Sequence, residues 1–182
     1  MGRLNVQSIK NTLVLGGARS GKSLFAESMV EEFGSGLYLA TATISEKDDE
    51  MNARILKHQS RRGSKWETIE EPLKIVEVIN REACESRPIL VDCLTLWLSY
   101  ILFKGMCVEV EIEKLMDLLR SRTLRGPVVF VSNEIGLGVM PDNKISRVFV
   151  DTQGALNQLL AKLANRVFLV SAGIPQILKD EI

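Results

Sequence analysis

The segment Gly16-Gly17-Ala18-Arg19-Ser20-Gly21-Lys22-Ser23 decides the fold class of this chain. It matches the P-loop pattern of Gly, four residues of any type, Gly, Lys, and Ser or Thr. Its glycines allow backbone N–H groups to point at a phosphate, and the next helix adds the positive end of its dipole. Lys22 would reach the β- and γ-phosphates, and the Ser23 hydroxyl would bind Mg²⁺. The alternative is a glycine-rich turn that binds no ligand.

Outward from this loop, short β-rich runs alternate with helical patterns along the whole chain. The strand candidates are nearly continuous apolar runs, as is typical of parallel strands that are buried on both faces. The predicted strands are Thr12–Gly16, Gly36–Thr41, Pro88–Asp92, Val128–Ser132 and Arg166–Ser171, with Trp66–Ile69 as an edge or antiparallel strand. The pattern therefore predicts a three-layer α/β fold with a mostly parallel sheet.

The helices are predicted from their periodicity, with Gly34, Gly105 and Gly126 as stop signals. Their expected ranges are Lys22–Phe33, Lys47–Arg62, Pro72–Ala83, Leu94–Lys104, Val110–Arg122 and Ile145–Ala164. No repeat, low-complexity tract or linker interrupts them. We therefore expect residues 1–182 to form a single nucleotide-binding domain, with residues 1–11 as a loose leader.

The charge balance and the cysteines exclude several classes of function. The chain has 182 residues, with 23 basic and 23 acidic side chains, so no overall positive field would attract nucleic acid. Its longest apolar run is too short for a membrane span. Three cysteines without a C-x-x-C pair argue against a disulfide framework and a zinc site. We expect a cytoplasmic protein that binds small molecules.

Polar residues follow two of the apolar strands. Asp92 ends Pro88–Asp92, where it could either hold the metal's water shell or cap the helix from Leu94. Beside a P-loop we favour the metal role. Asn133 and Glu134 follow another strand, where α/β sheets place ligands, and a capping role is nearly as plausible for them.

The lone histidine, His58, lies in a segment that is predicted to be helical. Glu50, Arg54, His58 and Arg62 recur every four residues and would share one helix face. This arrangement is typical of a solvated face with ion pairs. A neutral imidazole between guanidinium groups could also attack a phosphate while the arginines neutralise its oxygens. These residues alone leave both roles open.

The chain resembles the bifunctional adenosylcobinamide kinase/adenosylcobinamide-phosphate guanylyltransferase family of cobalamin synthesis, from Leu13 to Pro175. The P-loop itself is generic, whereas two other segments are specific to the family. These are DDEM-x-x-RI-x-x-H over residues 48–58 and Asn-Glu-Ile-Gly-Leu-Gly over residues 133–138. Further similar stretches are residues 39–41, 66–68, 70–73, 151–158 and 171–175.

The resemblance implies a RecA-like P-loop nucleoside triphosphate hydrolase fold, a homotrimer and two reactions. A nucleoside triphosphate, ATP or GTP, phosphorylates a hydroxyl of the corrinoid substrate. GTP then gives GMP to a histidine, and the GMP passes to the substrate phosphate. The catalytic positions map to His58 and Lys22, and the metal positions to Ser23 and Asp92. The implied nucleotide contacts are Gly16, Gly17, Ala18, Arg19, Ser20, Gly21, Lys22, Ser23, Ala40, Thr41, Ala42, Gln59, Ser60, Arg61, Arg62, Glu70 and Asp92.

Two alternatives remain at this point. The chain could be a small-molecule kinase that transfers no guanylyl group, in which case His58 is an ordinary helix-face residue. It could also be a nucleotide-dependent switch or assembly module without a small substrate. A covalent adduct on His58 distinguishes the bifunctional enzyme from both.

Overall fold

A computed structural model describes residues 10–43, 49–61, 63, 65–121 and 124–181 of the chain. Its strands are β1 (Thr12–Gly16), β2 (Gly36–Ala40), β3 (Trp66–Glu70), β4 (Ile89–Asp92), β5 (Val128–Asn133), β6 (Arg166–Ser171) and β7 (Ile174–Asp180). Its helices are α1 (Lys22–Phe33), α2 (Asp49–Arg61), α3 (Ile75–Glu82), α4 (Leu94–Phe103), α5 (Val108–Arg120) and α6 (Lys144–Leu163). None of the described helices is long and apolar enough to cross a membrane.

The described strands form one sheet in the order β3-β2-β4-β5-β1-β6-β7. All neighbours pair in parallel except β6 and β7, which are antiparallel. Strand β2 follows β1 in the chain but is not its neighbour in the sheet, because β5 and β6 flank β1. Ligands of such sheets bind beyond the carboxyl ends of the strands, which is where Gly16 ends β1 and Asp92 ends β4.

The core lies on both faces of the sheet, because successive strand residues point to opposite sides. Val14 packs with Ala26, Met29 and Val30 of α1 on one face. Leu13 and Leu15 face the other side, where the buried side chains come from α3, α4, α5 and α6. The predicted three-layer α/β class with a mostly parallel sheet is confirmed.

Local sequence patterns did not fully predict the two outer strands of the sheet, β3 and β7. Strand β7 was not predicted, since Pro175 and its exposed residues weaken the strand signal. Ala172 and Gly173 both have positive φ, which gives the two-residue turn that joins β6 to β7. The uncertain strand at Trp66 is an edge strand, and it runs parallel to β2.

Two further expectations were wrong. Gly126 does not end a helix, since α5 ends at Arg120 and Gly126 faces the backbone of Cys84. Asn11 is not loose, because its backbone and side chain bind Asn165, Arg166 and Val128. The rest of the expected leader (1–9), the start of the second predicted helix (Lys47) and two predicted helix ends (Arg62 and Arg122) lie outside the described residues.

Candidate functional site

Six parallel strands end side by side at the carboxyl edge of the sheet, and the predicted site residues lie on the five from β1 to β3. The register pairs Gly16 with Asn133, and it pairs Ala40 with both Glu70 and Asp92. The carboxyl ends of β1 and β3 are four strand spacings apart, which is a distance of about 19 Å. The P-loop therefore lies towards one end of this edge, and Glu70 lies at the other.

The P-loop has the conformation of a phosphate cradle. Ser20 N–H donates to the carbonyl of Gly17 over 3.2 Å, and Gly21 adopts a left-handed conformation with φ of 93°. The N-cap residue of α1, Gly21, provides no side-chain hydrogen bond, and the Lys22 N–H makes only a long 3.4 Å bond to Ser20 Oγ. The positive end of the helix dipole faces the loop, as anion binding requires.

The P-loop also packs against the turn between β6 and β7. Gly173 N–H donates to the carbonyl of Ser20 over 2.8 Å, and a Cβ on Gly21 would lie 3.1 Å from Cα of Gly173. A Cβ on Gly16 would meet Val170 O at 2.5 Å. This support was not predictable from the sequence, because the strand signal of β7 is weak and Ala172-Gly173 alone does not indicate a hairpin.

Lys22 places a positive charge inside the cradle. Its residue is only 9% exposed, and Nζ donates to the carbonyl of Gly17 over 3.1 Å. Burial lowers the pKa of Lys22, while the nearby Cys93 and Asp92 act in the opposite direction. An ammonium that is so poorly hydrated gains strongly from the arrival of phosphate oxygens.

Asp92 lies near this ammonium at the end of β4. Its Oδ2 accepts a 2.6 Å hydrogen bond from the hydroxyl of Tyr38, which orients the carboxylate. The capping alternative fails, because the N-cap of α4 is Cys93 and no side chain caps that helix. A magnesium–nucleotide complex takes one or two protein carboxylates or hydroxyls, so Ser23 and Asp92 are of the right chemical type for it.

Thr41 connects the ends of β2 and β4. Its hydroxyl accepts from Cys93 N–H and donates to Cys93 O, both over 2.8 Å, and the Thr41 N–H donates to Asp92 O. Burial and the Asp92 charge raise the pKa of the Cys93 thiol to about 11, so this thiol is neutral at pH 7. Thr41 and Ala40 are buried, and Ala42 is half-buried. The predicted contacts of Thr41 and Ala40 with nucleotide would therefore involve mainly backbone.

A second polar pair lies at the far end of the edge. Gln59 Nε2 on α2 donates to Glu70 Oε1 at the end of β3 over 3.1 Å. Both residues line an open groove of about 370 Å³ together with Gly63, Trp66 and Thr68. This groove combines amide, carboxylate, hydroxyl and aromatic surface, which suits a flat polar ring such as a nucleobase.

His58 lies in α2, directly before Gln59. The side chains of Arg54, His58 and Arg61, and all of Arg62, lie outside the described residues. Ser60 is exposed on the same helix. The backbone of α2 therefore places residue 58 next to Gln59, which lines the groove.

The arrangement has a phosphate cradle, a metal-type carboxylate and a groove for a planar ring along one sheet edge. Its chemistry is positioning and charge compensation for transfer of a phosphoryl or nucleotidyl group. Glu134 follows β5 beside the P-loop, where its backbone N–H donates to the carbonyl of Gly16 over 3.1 Å.

Comparison with known proteins identifies relatives along nearly the whole chain. The family model described as cobinamide kinase / cobinamide phosphate guanyltransferase matches residues 12–178. The chain is 44% identical over 172 residues to the bifunctional adenosylcobalamin biosynthesis protein CobP of Pseudomonas aeruginosa, with 93% of this chain and 97% of the relative covered. It is 35% identical over 177 residues to the bifunctional adenosylcobalamin biosynthesis protein CobU of Escherichia coli, with 89% and 96% covered.

A solved structure shares the fold at low sequence identity. It is described as a structural study of Project ID PH0250 from Pyrococcus horikoshii OT3, with a TM-score of 0.54 and 12% identity. The match covers 94% of this chain and 86% of that chain. At this identity the likeness concerns the fold alone.

Proposed function

The chain belongs to the cobinamide kinase / cobinamide phosphate guanyltransferase family and is a bifunctional enzyme of adenosylcobalamin biosynthesis, and we propose how its residues divide the two reactions. The P-loop, Lys22 and Asp92 serve the kinase step. His58 carries the GMP unit in the guanylyltransferase step. The single observation that carries this division is the separation of the P-loop and the α2–β3 groove along one sheet edge.

In the kinase step, a hydroxyl group of the corrinoid releases its proton to solvent, and its oxygen forms a bond to the γ-phosphorus of ATP or GTP. The bond between that phosphorus and the β–γ bridging oxygen breaks, and the nucleoside diphosphate leaves. Lys22 compensates the charge on the β- and γ-phosphates, and the backbone N–H groups of residues 16–23 hold them. Ser23 and Asp92 would hold Mg²⁺, which shields the phosphate charges when it is bound.

In the second step, the neutral imidazole of His58 forms a bond to the α-phosphorus of GTP, and pyrophosphate leaves. A phosphate oxygen of the phosphorylated corrinoid then attacks the same phosphorus and breaks its bond to nitrogen. Gln59 and Glu70 support this assignment, because Glu70 can accept hydrogen bonds from the amino and ring N–H groups of guanine. Ser60, Arg61 and Arg62 would contact the same nucleotide, and the guanidinium groups would neutralise its phosphates.

We also propose that the enzyme is a cytoplasmic homotrimer of single-domain subunits. The described cysteines Cys84, Cys93 and Cys107 are all free, which suits a reducing compartment. The loop after β5 and the start of α6 expose a run of apolar side chains that a subunit contact would bury. These residues are Leu137, Val139, Met140, Ile145 and Val148.

The experiment is covalent labelling with GTP that carries ³²P in the α-phosphate. The wild-type enzyme is expected to form a protein adduct that survives base and is lost in acid, as a phosphoramidate should be. GTP that is labelled in the γ-phosphate should give no such adduct. The yield should be lower in acid than at neutral pH, because a protonated imidazole has no free electron pair with which to attack phosphorus.

The variant His58→Asn should lose the adduct and GMP transfer while it keeps part of the kinase activity. Arg54→Ala and Arg62→Ala should give graded losses, since each would remove charge compensation rather than the attacking atom. Covalent GMP on the His58→Asn protein would overturn the assignment of the nucleophile. A wild-type protein without an adduct would favour a kinase that lacks the histidine intermediate.

A further inference from the structure

Trp66 provides aromatic surface in the open groove between α2 and β3. It is the first residue of β3, and the side chains of Trp66, Thr68 and Glu70 alternate to the same side of that strand. Ile69, which points to the other side, packs against the core. The first three residues therefore form one continuous wall of the groove, which extends about 13 Å along the strand.

The indole of Trp66 is held from two sides by groups that do not line the groove. Its Nε1 donates to Glu31 Oε1 of α1 over 3.0 Å. On the opposite side of the ring, a Cβ on Gly36 would lie 2.9 Å from Cζ3. The ring of Tyr38 packs against the indole at a centroid distance of 5.7 Å and an interplanar angle of 76°. The indole is thus fixed in advance, so a ligand does not have to order it.

The exposed part of Trp66 offers ring surface and no hydrogen bond. The residue is half-buried, and its N–H already has a partner in Glu31. Polar groups surround this ring surface, namely the Thr68 hydroxyl and the Gln59–Glu70 pair, whose atoms are 3.1 Å apart. A ligand that fits this groove has an apolar face and polar edges, which is the chemistry of a nucleobase.

We propose that Trp66 stacks on the guanine of GTP in the guanylyltransferase step. This inference rests on the proposed function of the groove. Stacking on an aromatic side chain accepts any base, because every base has a π-face. Guanine presents two adjacent N–H donors to a carboxylate, whereas adenine presents a donor beside an acceptor. Trp66 therefore supplies affinity for the base, Glu70 supplies the preference for guanine, and His58 supplies the attacking atom.

The test follows the tryptophan fluorescence of the full chain while GMP is added. The chain has two tryptophans, and the other one, Trp97, is fully buried and donates to Leu73 O. GMP is expected to quench the emission of the wild type in a saturable way and to leave that of Trp66→Phe unchanged. A wild type whose emission does not respond to saturating GMP would overturn the proposal without any variant.

Calorimetry separates stacking from base selection. Trp66→Leu should weaken GMP binding about tenfold or more, and Trp66→Phe, which keeps an aromatic ring, should weaken it much less. Trp66→Leu should lower the affinities for GMP and AMP by the same factor, whereas Glu70→Gln should reduce the ratio between them. The matched control is Phe103→Leu, at an exposed aromatic residue outside the groove, which should change neither affinity.

Labelling with α-³²P GTP connects the binding to the reaction. Trp66→Leu should raise the GTP concentration for half-maximal labelling about tenfold or more and keep the maximal yield, because His58 is unchanged. Unchanged GMP affinity in Trp66→Leu, or equal losses in the Phe and Leu variants, would mean a packing role and would overturn the proposal. Failure of the proposed function is recognised separately, because the wild type would then form no adduct although GMP still quenches Trp66.

Discussion

The burial of the charged Lys22 side chain does not by itself stabilise the fold. Its ammonium is buried, and the hydrogen bond to Gly17 O replaces only part of its lost hydration. We expect Lys22→Met to reduce kinase turnover at saturating nucleotide by at least about 100-fold, since the transferring phosphoryl loses its charge compensation. The measurement is steady-state kinetics with the corrinoid alcohol, and near-normal turnover would contradict the role of Lys22.

The same variant tests the electrostatics of the nucleotide-free protein. Because burial lowers the pKa of Lys22, the unfolded state binds more protons than the folded state between that lowered pKa and 10.5. The contribution of Lys22 to the free energy of unfolding therefore rises with pH in that window. Urea unfolding should show Lys22→Met to be more stable than wild type by about 1 kcal/mol at pH 7, with a smaller gap at pH 10. A stability difference between the variant and the wild type that grows with pH would contradict the lowered pKa of Lys22.

Substitutions of Asp92 and Tyr38 distinguish the effect of the negative charge from the effect of the hydrogen bond at the proposed metal site. Asp92→Asn removes the negative charge but keeps an oxygen that can accept from the Tyr38 hydroxyl. We expect it to raise the Mg²⁺ concentration for half-maximal kinase activity about tenfold or more. Tyr38→Phe is the matched control, since it removes the hydrogen bond and keeps the charge, and it should shift the titration much less. Equal shifts would assign Asp92 a structural role.

At the scale of elements, the P-loop depends on close packing against β6. A methyl group at Gly16 would lie 2.4 Å from Ser20 Oγ and would also meet Val170 O. The Val170 carbonyl belongs to the backbone, so it cannot rotate away as a side chain can. We expect Gly16→Ala to reduce the free energy of unfolding by about 2–3 kcal/mol, as overpacking does. Gly138→Ala, in an exposed loop with no atom within 4 Å of the added methyl, should stay within about 0.5 kcal/mol. Urea unfolding without nucleotide measures both, and similar values would contradict the packing argument.

At the scale of the whole molecule, the surface from Leu137 to Val148 carries five large exposed apolar side chains. Val139 is 98% exposed and Ile145 is 83% exposed, which is costly unless another surface covers them. If this surface forms the subunit contact, the double variant Val139→Asp/Ile145→Asp should shift the protein from trimer to monomer. Sedimentation velocity measures the shift. The control Phe103→Asp, at an exposed apolar residue outside this surface, should leave the trimer intact.

Much of this protein was predictable from local sequence. The P-loop pattern, the apolar strands and the helix periodicity each depend on residues that are near one another in the chain, and β1 and α1 have the predicted bounds. The motif around His58 and the Asn-Glu-Ile-Gly-Leu-Gly segment identified the family correctly. These features are local because backbone conformation and amphipathic pattern are set over a few residues.

Other features were decided only by tertiary structure. The hydrogen bond of Tyr38 to Asp92 joins residues 54 apart, and the contact of Ser20 with Gly173 joins opposite ends of the chain. The position of Asn133 beside Gly16 depends on the insertion of β5 between β4 and β1. Strand order and register follow from how helices and strands bury one common core, so no local pattern encodes them. For this reason the sequence determined which chemical groups the site contains, and the tertiary structure decided which of them meet.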